Sequence, residues 1–157
     1  MILTTHILSG AALGANIPNP YAVAGLSIVL HFLQDTLPHG DYLNKKSRLR
    51  EFWKVAVDLA IGLSLVTAIV FYKNWLSDEV FLTNISTGIF FSLFPDFTTF
   101  LYRYLNMKFL RPIKDFHEGL HCYENGSRRR EFRIENGFWD IFITLASLLF
   151  LLFLCAG

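Results

Sequence analysis

The feature that most constrains this chain is its supply of long apolar runs. Residues 52–76, 80–105 and 137–156 are each long enough to span a bilayer, which takes about 20 mostly apolar residues. Two earlier segments, 3–15 and 21–37, have a helical pattern but are short. At ~1.5 Å per residue the first reaches only ~20 Å. The chain has 157 residues, so one domain, 1–157, is expected. It is 53% hydrophobic and only 17% charged, too apolar for a typical soluble domain of this size. The expected fold is all-α: a polytopic helical membrane protein with about five membrane helices, the first two short. A cytoplasmic amphipathic helix is expected at about 110–123.

Charge placement orients these segments. Of the fourteen Lys and Arg residues, five lie between 45 and 54 and eight between 103 and 133. Cytoplasmic loops are enriched in Lys and Arg, so both basic loops read as cytoplasmic and the 74–79 loop as external. Alternation then puts the N-terminus inside and the C-terminus outside, in an integral protein of the bacterial cytoplasmic (inner) membrane. The N-terminus has no basic n-region or small-residue cleavage site, so no signal peptide is expected. Arg128, Arg129 and Arg130 read as topology-setting charge, and no nucleic-acid partner is expected; membrane lipid is. Cys122 and Cys155 fall at opposite ends of this topology and read as free thiols. Gly10 and Gly14 form a small-xxx-small pair that lets the first helix pack closely on a neighbour.

On this topology the ionisable residues gather on one side. His6 begins the first helix, and His31, Asp35 and His39 lie at the inner end of the second. Asp58, Asp96 and Asp140 fall near the inner ends of the later helices, and His117 and His121 lie in the cytoplasmic loop. His31 and Asp35 share a helix face at i, i+4, as do His117 and His121. Ionisable groups inside a membrane are costly and usually functional. Imidazole with carboxylate suits zinc first, with manganese or iron as alternatives. Each residue also has a local reading: Asp58 can pair with Lys54, Asp96 can cap a helix after Pro95, and Asp140 can face the positive end of the last helix.

Two chemistries fit the cluster. His117-Glu118-Gly119-Leu120-His121 matches H-E-x-x-H, in which two histidines bind zinc and the glutamate activates water. That reading gives a membrane zinc peptidase, although Gly119 lowers helix propensity by ~1 kcal/mol. The second reading uses His6, His31, Asp35, His39, Asp96, His117 and His121 as metal ligands, with Glu118 or Asp58 as the catalytic carboxylate. One catalytic zinc needs about three protein ligands, so this set suggests two or more ions. Two metals ~3.5–4 Å apart suit phosphoester hydrolysis. Arg111 and Lys114 are candidate phosphate-binding residues. A non-enzymatic metal carrier or structural metal site is the third possibility.

The segments THILSGAALGA, HFLQDTLPHGD, FPD and FHxxxH resemble the bacterial membrane-bound metal-dependent hydrolases, a group of inner-membrane proteins. HFLQDTLPH is also similar to the H-x-x-x-D…H segment of the zinc-dependent phospholipase C and S1/P1 nuclease group. That similarity implies zinc ligation by His31 and Asp35 and hydrolysis of a phosphoester. A lipid or lipid-linked substrate is expected because the site would open at headgroup depth. His39 follows the aspartate more closely here than the corresponding histidine does in those enzymes.

Overall fold

The computed structural model describes residues 1–44 and 46–154; Lys45 and residues 155–157, and with them the expectation for Cys155, lie outside it. Cys122 is exposed and free. The described residues form six α-helices: α1 (Leu3–Gly14), α2 (Pro20–Asp35), α3 (Trp53–Tyr72), α4 (Glu79–Tyr104), α5 (Arg111–Leu120) and α6 (Phe138–Leu149). They contain no strand, only one isolated parallel bridge between Asp41 and Glu131.

Two of these helices are long and apolar enough to cross a membrane. They are Leu49–Tyr72, which includes a 3-10 turn ahead of α3, and Glu79–Tyr104. An arrangement of five spans is therefore not supported. Twelve residues of α1 reach only ~18 Å. Nine of those twelve are buried, so α1 is the hub of the bundle rather than a wall of it. It packs against α4, α3, α6 and α2. The apolar helix at Phe138–Phe153 is also shorter than a span.

Local chemistry sets the helix ends. Pro20 opens α2, where its missing N–H costs nothing, and the Asn19 side chain accepts from the Tyr21 and Ala22 amides. Asp78 caps α4 by accepting from Phe81 N at 2.9 Å. The α1 N-terminus is buried and borrows its caps from other helices. Asp140 of α6 accepts from Ile2 N at 3.0 Å, and Asp58 of α3 accepts from Leu3 N at 2.6 Å and Thr4 N at 3.3 Å.

The α1–α4 crossing is the tightest contact. A side-chain carbon on Gly10 would overlap the Gly88 carbonyl, and one on Gly88 would overlap the Gly10 carbonyl. Gly14 meets the α4 backbone at Asn84 and Ile85. The expected small-residue seam is thus present, and α4 is the neighbour. Above it Ile7, Leu8, Ala11, Val66, Ile69 and Ile85 form the apolar core.

Elsewhere the bundle is polar inside and apolar outside. On α2 the buried stripe includes Ser27, His31, Gln34 and Asp35, while Leu26, Val29 and Leu33 are exposed. On α6 Asp140 and Ser147 are buried, while Ile141, Phe142, Leu145 and Leu149 face outward. Large contiguous apolar surfaces of this kind mark contact with a membrane or a partner.

Candidate metal centre

The C-terminal end of the α2 polar stripe converges on one carboxylate. Asp35 is fully buried at the last turn of α2. Its Oδ2 lies 2.7 Å from His117 Nε2, 3.1 Å from His31 Nε2 and 3.7 Å from His121 Nε2. Its Oδ1 lies 3.4 Å from His6 Nε2 and 3.9 Å from His39 Nε2. All five histidines of the chain therefore aim the same ring atom at Asp35. The Met1 ammonium also donates to Asp35 Oδ1, at 3.1 Å.

The opposite ring atoms fix the tautomers. His31 Nδ1 donates to the Ser92 carbonyl at 2.6 Å, and His39 Nδ1 donates to the Leu37 carbonyl at 2.7 Å. A carbonyl only accepts, so each Nδ1 carries a hydrogen, and the neutral form of each ring turns its Nε2 lone pair toward Asp35. His6 Nδ1 is 2.9 Å from Gln34 Oε1, and His117 Nδ1 is 3.0 Å from Thr99 Oγ1. Such outer partners orient metal-binding histidines and raise their basicity. His31 Nε2 and His117 Nε2 are only 3.2 Å apart beside the carboxylate. Acceptors so close repel one another unless protons or a cation lie between them. His6 Nε2 and His39 Nε2 are buried without a hydrogen-bond partner.

The donors fall into two sets. Those of His31, Asp35, Asp96 and His117 lie within 4.8 Å of one another, as do those of Asp35, His39 and His121. These buried His and Asp groups can hold a metal ion, and Asp35 belongs to both sets. Burial, with Arg130 adding to it, pushes the His121 imidazole down to about 2, so at neutral pH its ring is neutral, with a hydrogen on one nitrogen and a lone pair on the other. Neutral imidazole is the ligating form.

Four elements supply these side chains. The α1–α4 crossing sets His6 beside Ser92, whose hydroxyl donates to the His6 carbonyl at 2.8 Å. The His6 and His31 rings stack with centroids 4.1 Å apart. Pro95 lies inside α4 without ending it, and Asp96 is a mid-helix residue rather than the helix cap one local reading expected. Lacking an N–H, Pro95 loosens the ladder there. The loosened turn lies next to Ser92, whose carbonyl takes the His31 hydrogen bond. α5 buries His117 and stops at Leu120, so His121 follows in extended backbone.

Three expected roles sit differently. Asp58 does not join the cluster: its carboxylate is taken up by Leu3 N, Thr4 N and the Thr4 hydroxyl at 2.6 Å. It acts as a cap for α1, not as the partner of Lys54. Asp58→Ala leaves buried amides without an acceptor, and the expected loss of stability is about 2 kcal/mol or more. Thermal melts with parallel metal analysis check this: a folded variant that has lost its metal would put Asp58 back in the site.

Arg111 and Lys114 pair with Asp115, at 3.3 and 3.0 Å, and do not line the cavity beside the His/Asp cluster. Burying His117 turns Arg111 and Asp115 to solvent, and Lys114 is drawn over the Tyr102 ring. Glu118 lies beside the cavity but is clamped, at 3.2 Å from Arg103 Nη2 and 2.9 Å from Arg130 Nη1. Both Glu118 oxygens are thus engaged by arginines.

The structure also brings in residues that the sequence reading passed over. Asp41 Oδ1 is 3.4 Å from His39 Nε2, and its Oδ2 accepts from Arg130 Nε at 2.6 Å. Burial opposes ionisation of Asp41, but the Met1 ammonium, His39 and Arg130 outweigh it and hold the carboxyl well below the usual range. Its adjacency in His39-Gly40-Asp41 was the available signal. In the sequence the positive-inside pattern already accounts for Arg103 and Arg130, and Gln34, Ser92 and Thr99 carry no motif.

No family model, curated protein or solved structure matches this chain.

Proposed function

We propose that this protein is a membrane-embedded, metal-dependent hydrolase of a phosphoester. The observation that carries the reading is the shared carboxylate of Asp35, set between two groups of buried imidazole donors. A carboxylate common to two sets suits a pair of ions better than a single one. When bound, a pair of dications lowers the pKa of water and neutralises charge on a phosphoryl group. Zinc suits the imidazole-rich donor set, with manganese or iron as alternatives.

The chain's own residues then divide the work. Asp35 holds the two positions together. His31 and His117, locked by the Ser92 carbonyl and the Thr99 hydroxyl, serve the first, and His39 and His121 serve the second. His6 faces Asp35 Oδ1 from α1. Asp96, whose side chain is 34% exposed and lines a cavity beside the cluster, is the carboxylate placed to meet a substrate or orient a water. The two long apolar helices and the outward apolar faces of α2 and α6 support burial of the bundle in a bilayer. The basic loops support an inner-membrane setting with the N-terminus inside. The resemblance to membrane-bound metal-dependent hydrolases agrees with the reading and rests on the quoted motifs.

The test is metal-dependent turnover. Detergent-purified protein is stripped with chelator, reloaded with zinc or manganese, and assayed on soluble aryl phosphates, phosphodiesters and lipid phosphates. Turnover that is lost on stripping and restored on reloading is the expected result. Fully loaded protein that hydrolyses none of the three classes would sink the reading.

A further inference from the structure

A cavity of about 320 Å³ opens beside the His/Asp cluster, between the first turns of α3 and the second half of α4. α3 and α4 pack on α1 rather than closely on one another, which leaves this gap. The cavity has two chemical ends. Asp96, His117 and His121 form one wall, with Arg103 and Arg130 beside them. Away from the cluster the lining is apolar, with Val55 and Leu59 from α3 and Leu93, Phe97 and Phe100 from α4. These apolar positions belong to the same two helices that are long enough to cross a membrane.

The two arginines are not equivalent. Arg130 is held by Asp41, Glu118 and the Tyr123 carbonyl. Among the described residues, Glu118 is the only hydrogen-bond partner of Arg103. A guanidinium has five N–H donors, so Arg103 keeps donors for an incoming anion. Charge fixes the class of that anion. The carboxylates of Asp35, Asp41, Asp96 and Glu118 outnumber these two guanidiniums and the Met1 ammonium beside Asp35 by one. A pair of dications reverses that to a net triple positive charge, which a phosphate monoester dianion offsets better than a singly charged diester.

We infer that the substrate is a long-chain phosphate monoester, such as an alkyl or acylglycerol phosphate. Its phosphate lies between the His/Asp cluster and Arg103, and its chain runs along Val55, Leu59 and Phe97. This inference rests on the hydrolase reading and narrows it. Hydrolysis breaks the P–O bond to the lipid alcohol: water gives its oxygen to phosphorus and a proton to the departing alkoxide.

Binding of non-hydrolysable phosphonates tests the inference separately from turnover. Metal-loaded protein held in amphipol is titrated with ethyl-, hexyl- and dodecylphosphonate, with and without chelator. Affinity is expected to be metal-dependent and to rise at least about 100-fold from the ethyl to the dodecyl compound, since each buried methylene adds to it. Val55→Trp is expected to bring dodecylphosphonate down toward the ethyl value. Arg103→Gln is expected to weaken every chain length alike, by about tenfold. Metal analysis of each variant reports whether the fold is intact, and Val55→Phe replaces Val55→Trp if it is not. Metal-dependent binding that ignores chain length overturns the inference while leaving phosphoester hydrolysis standing. Chain-dependent binding that survives chelation also overturns it, because the phosphate would then lie away from the cluster. Loaded protein that binds no phosphonate overturns it outright, and turnover on the soluble esters then decides the hydrolase reading by itself.

Discussion

Asp35→Asn is expected to empty the site. The substitution keeps the size of the side chain but removes its charge, and it replaces one acceptor oxygen with an amide donor. That donor must face either His31 and His117 or His6 and His39, all of which present ring nitrogens to Asp35. Because the carboxylate belongs to both donor sets, neither set keeps its centre. Metal content measured by elemental mass spectrometry should drop from about two ions per chain to background. Metal-dependent turnover should drop at least about 100-fold, more than is usual for loss of an outer-shell partner. His39→Ala removes a donor from one set only and should leave about one ion bound. Two ions retained in Asp35→Asn would mean that the shared carboxylate is not the centre of the site. No metal in the unaltered protein would leave the histidines as a polar network and remove the basis of the enzyme reading.

Gly88→Val is expected to have the largest effect on the fold. Gly88 and Gly10 bring the α4 and α1 backbones together, and a carbon on either would overlap the other's carbonyl. Neither backbone can yield locally, because α1 is buried and packed by α3, α6 and α2 as well. The helices must separate, at a cost of roughly 3 kcal/mol or more. Separation also pulls Ser92 from His6 and disturbs the carbonyl that orients His31. Melting in detergent should therefore occur at lower temperature and metal should be lost with it. Gly119→Ala is the matched control. That position has open space around it, and replacing glycine within a helix should be neutral or stabilising by up to about 1 kcal/mol. If Gly88→Val melts like the unaltered protein and keeps its metal, the close crossing does not assemble the site.

The inverted polarity of the bundle joins these two results. A soluble bundle buries its apolar stripes, whereas here α2 buries Ser27, His31, Gln34 and Asp35 and exposes leucine and valine. Burying a charged or polar group is costly unless it is paired. The chain meets that cost by cross-helix capping of α1 through Asp58 and Asp140, by the Arg103–Glu118–Arg130–Asp41 chain, and by converging imidazoles on Asp35. The last device is complete only with protons or a cation among the ring nitrogens.

Read alone, the sequence determined the helical class and the small-residue face at Gly10 and Gly14. It also gathered the histidines with Asp35 and Asp96, because i, i+4 spacing is local and periodic, but it gathered Asp58 and Asp140 with them and left out Asp41. His6, His31, Asp35, His39, Asp96, His117 and His121 were all legible as one cluster. It did not determine how many helices are long enough to span, since a 12-residue helix buried on all sides is as apolar in sequence as one facing lipid. Nor could it separate Asp58 from Asp96. Both are lone carboxylates on apolar helices, and only packing decides that one meets the amides at the start of α1 while the other meets His117. The assignment of Arg103 rather than Arg111 to the cavity has the same cause. Which side chain reaches a site depends on helix rotation and on contacts far apart in the chain, and no local period encodes either.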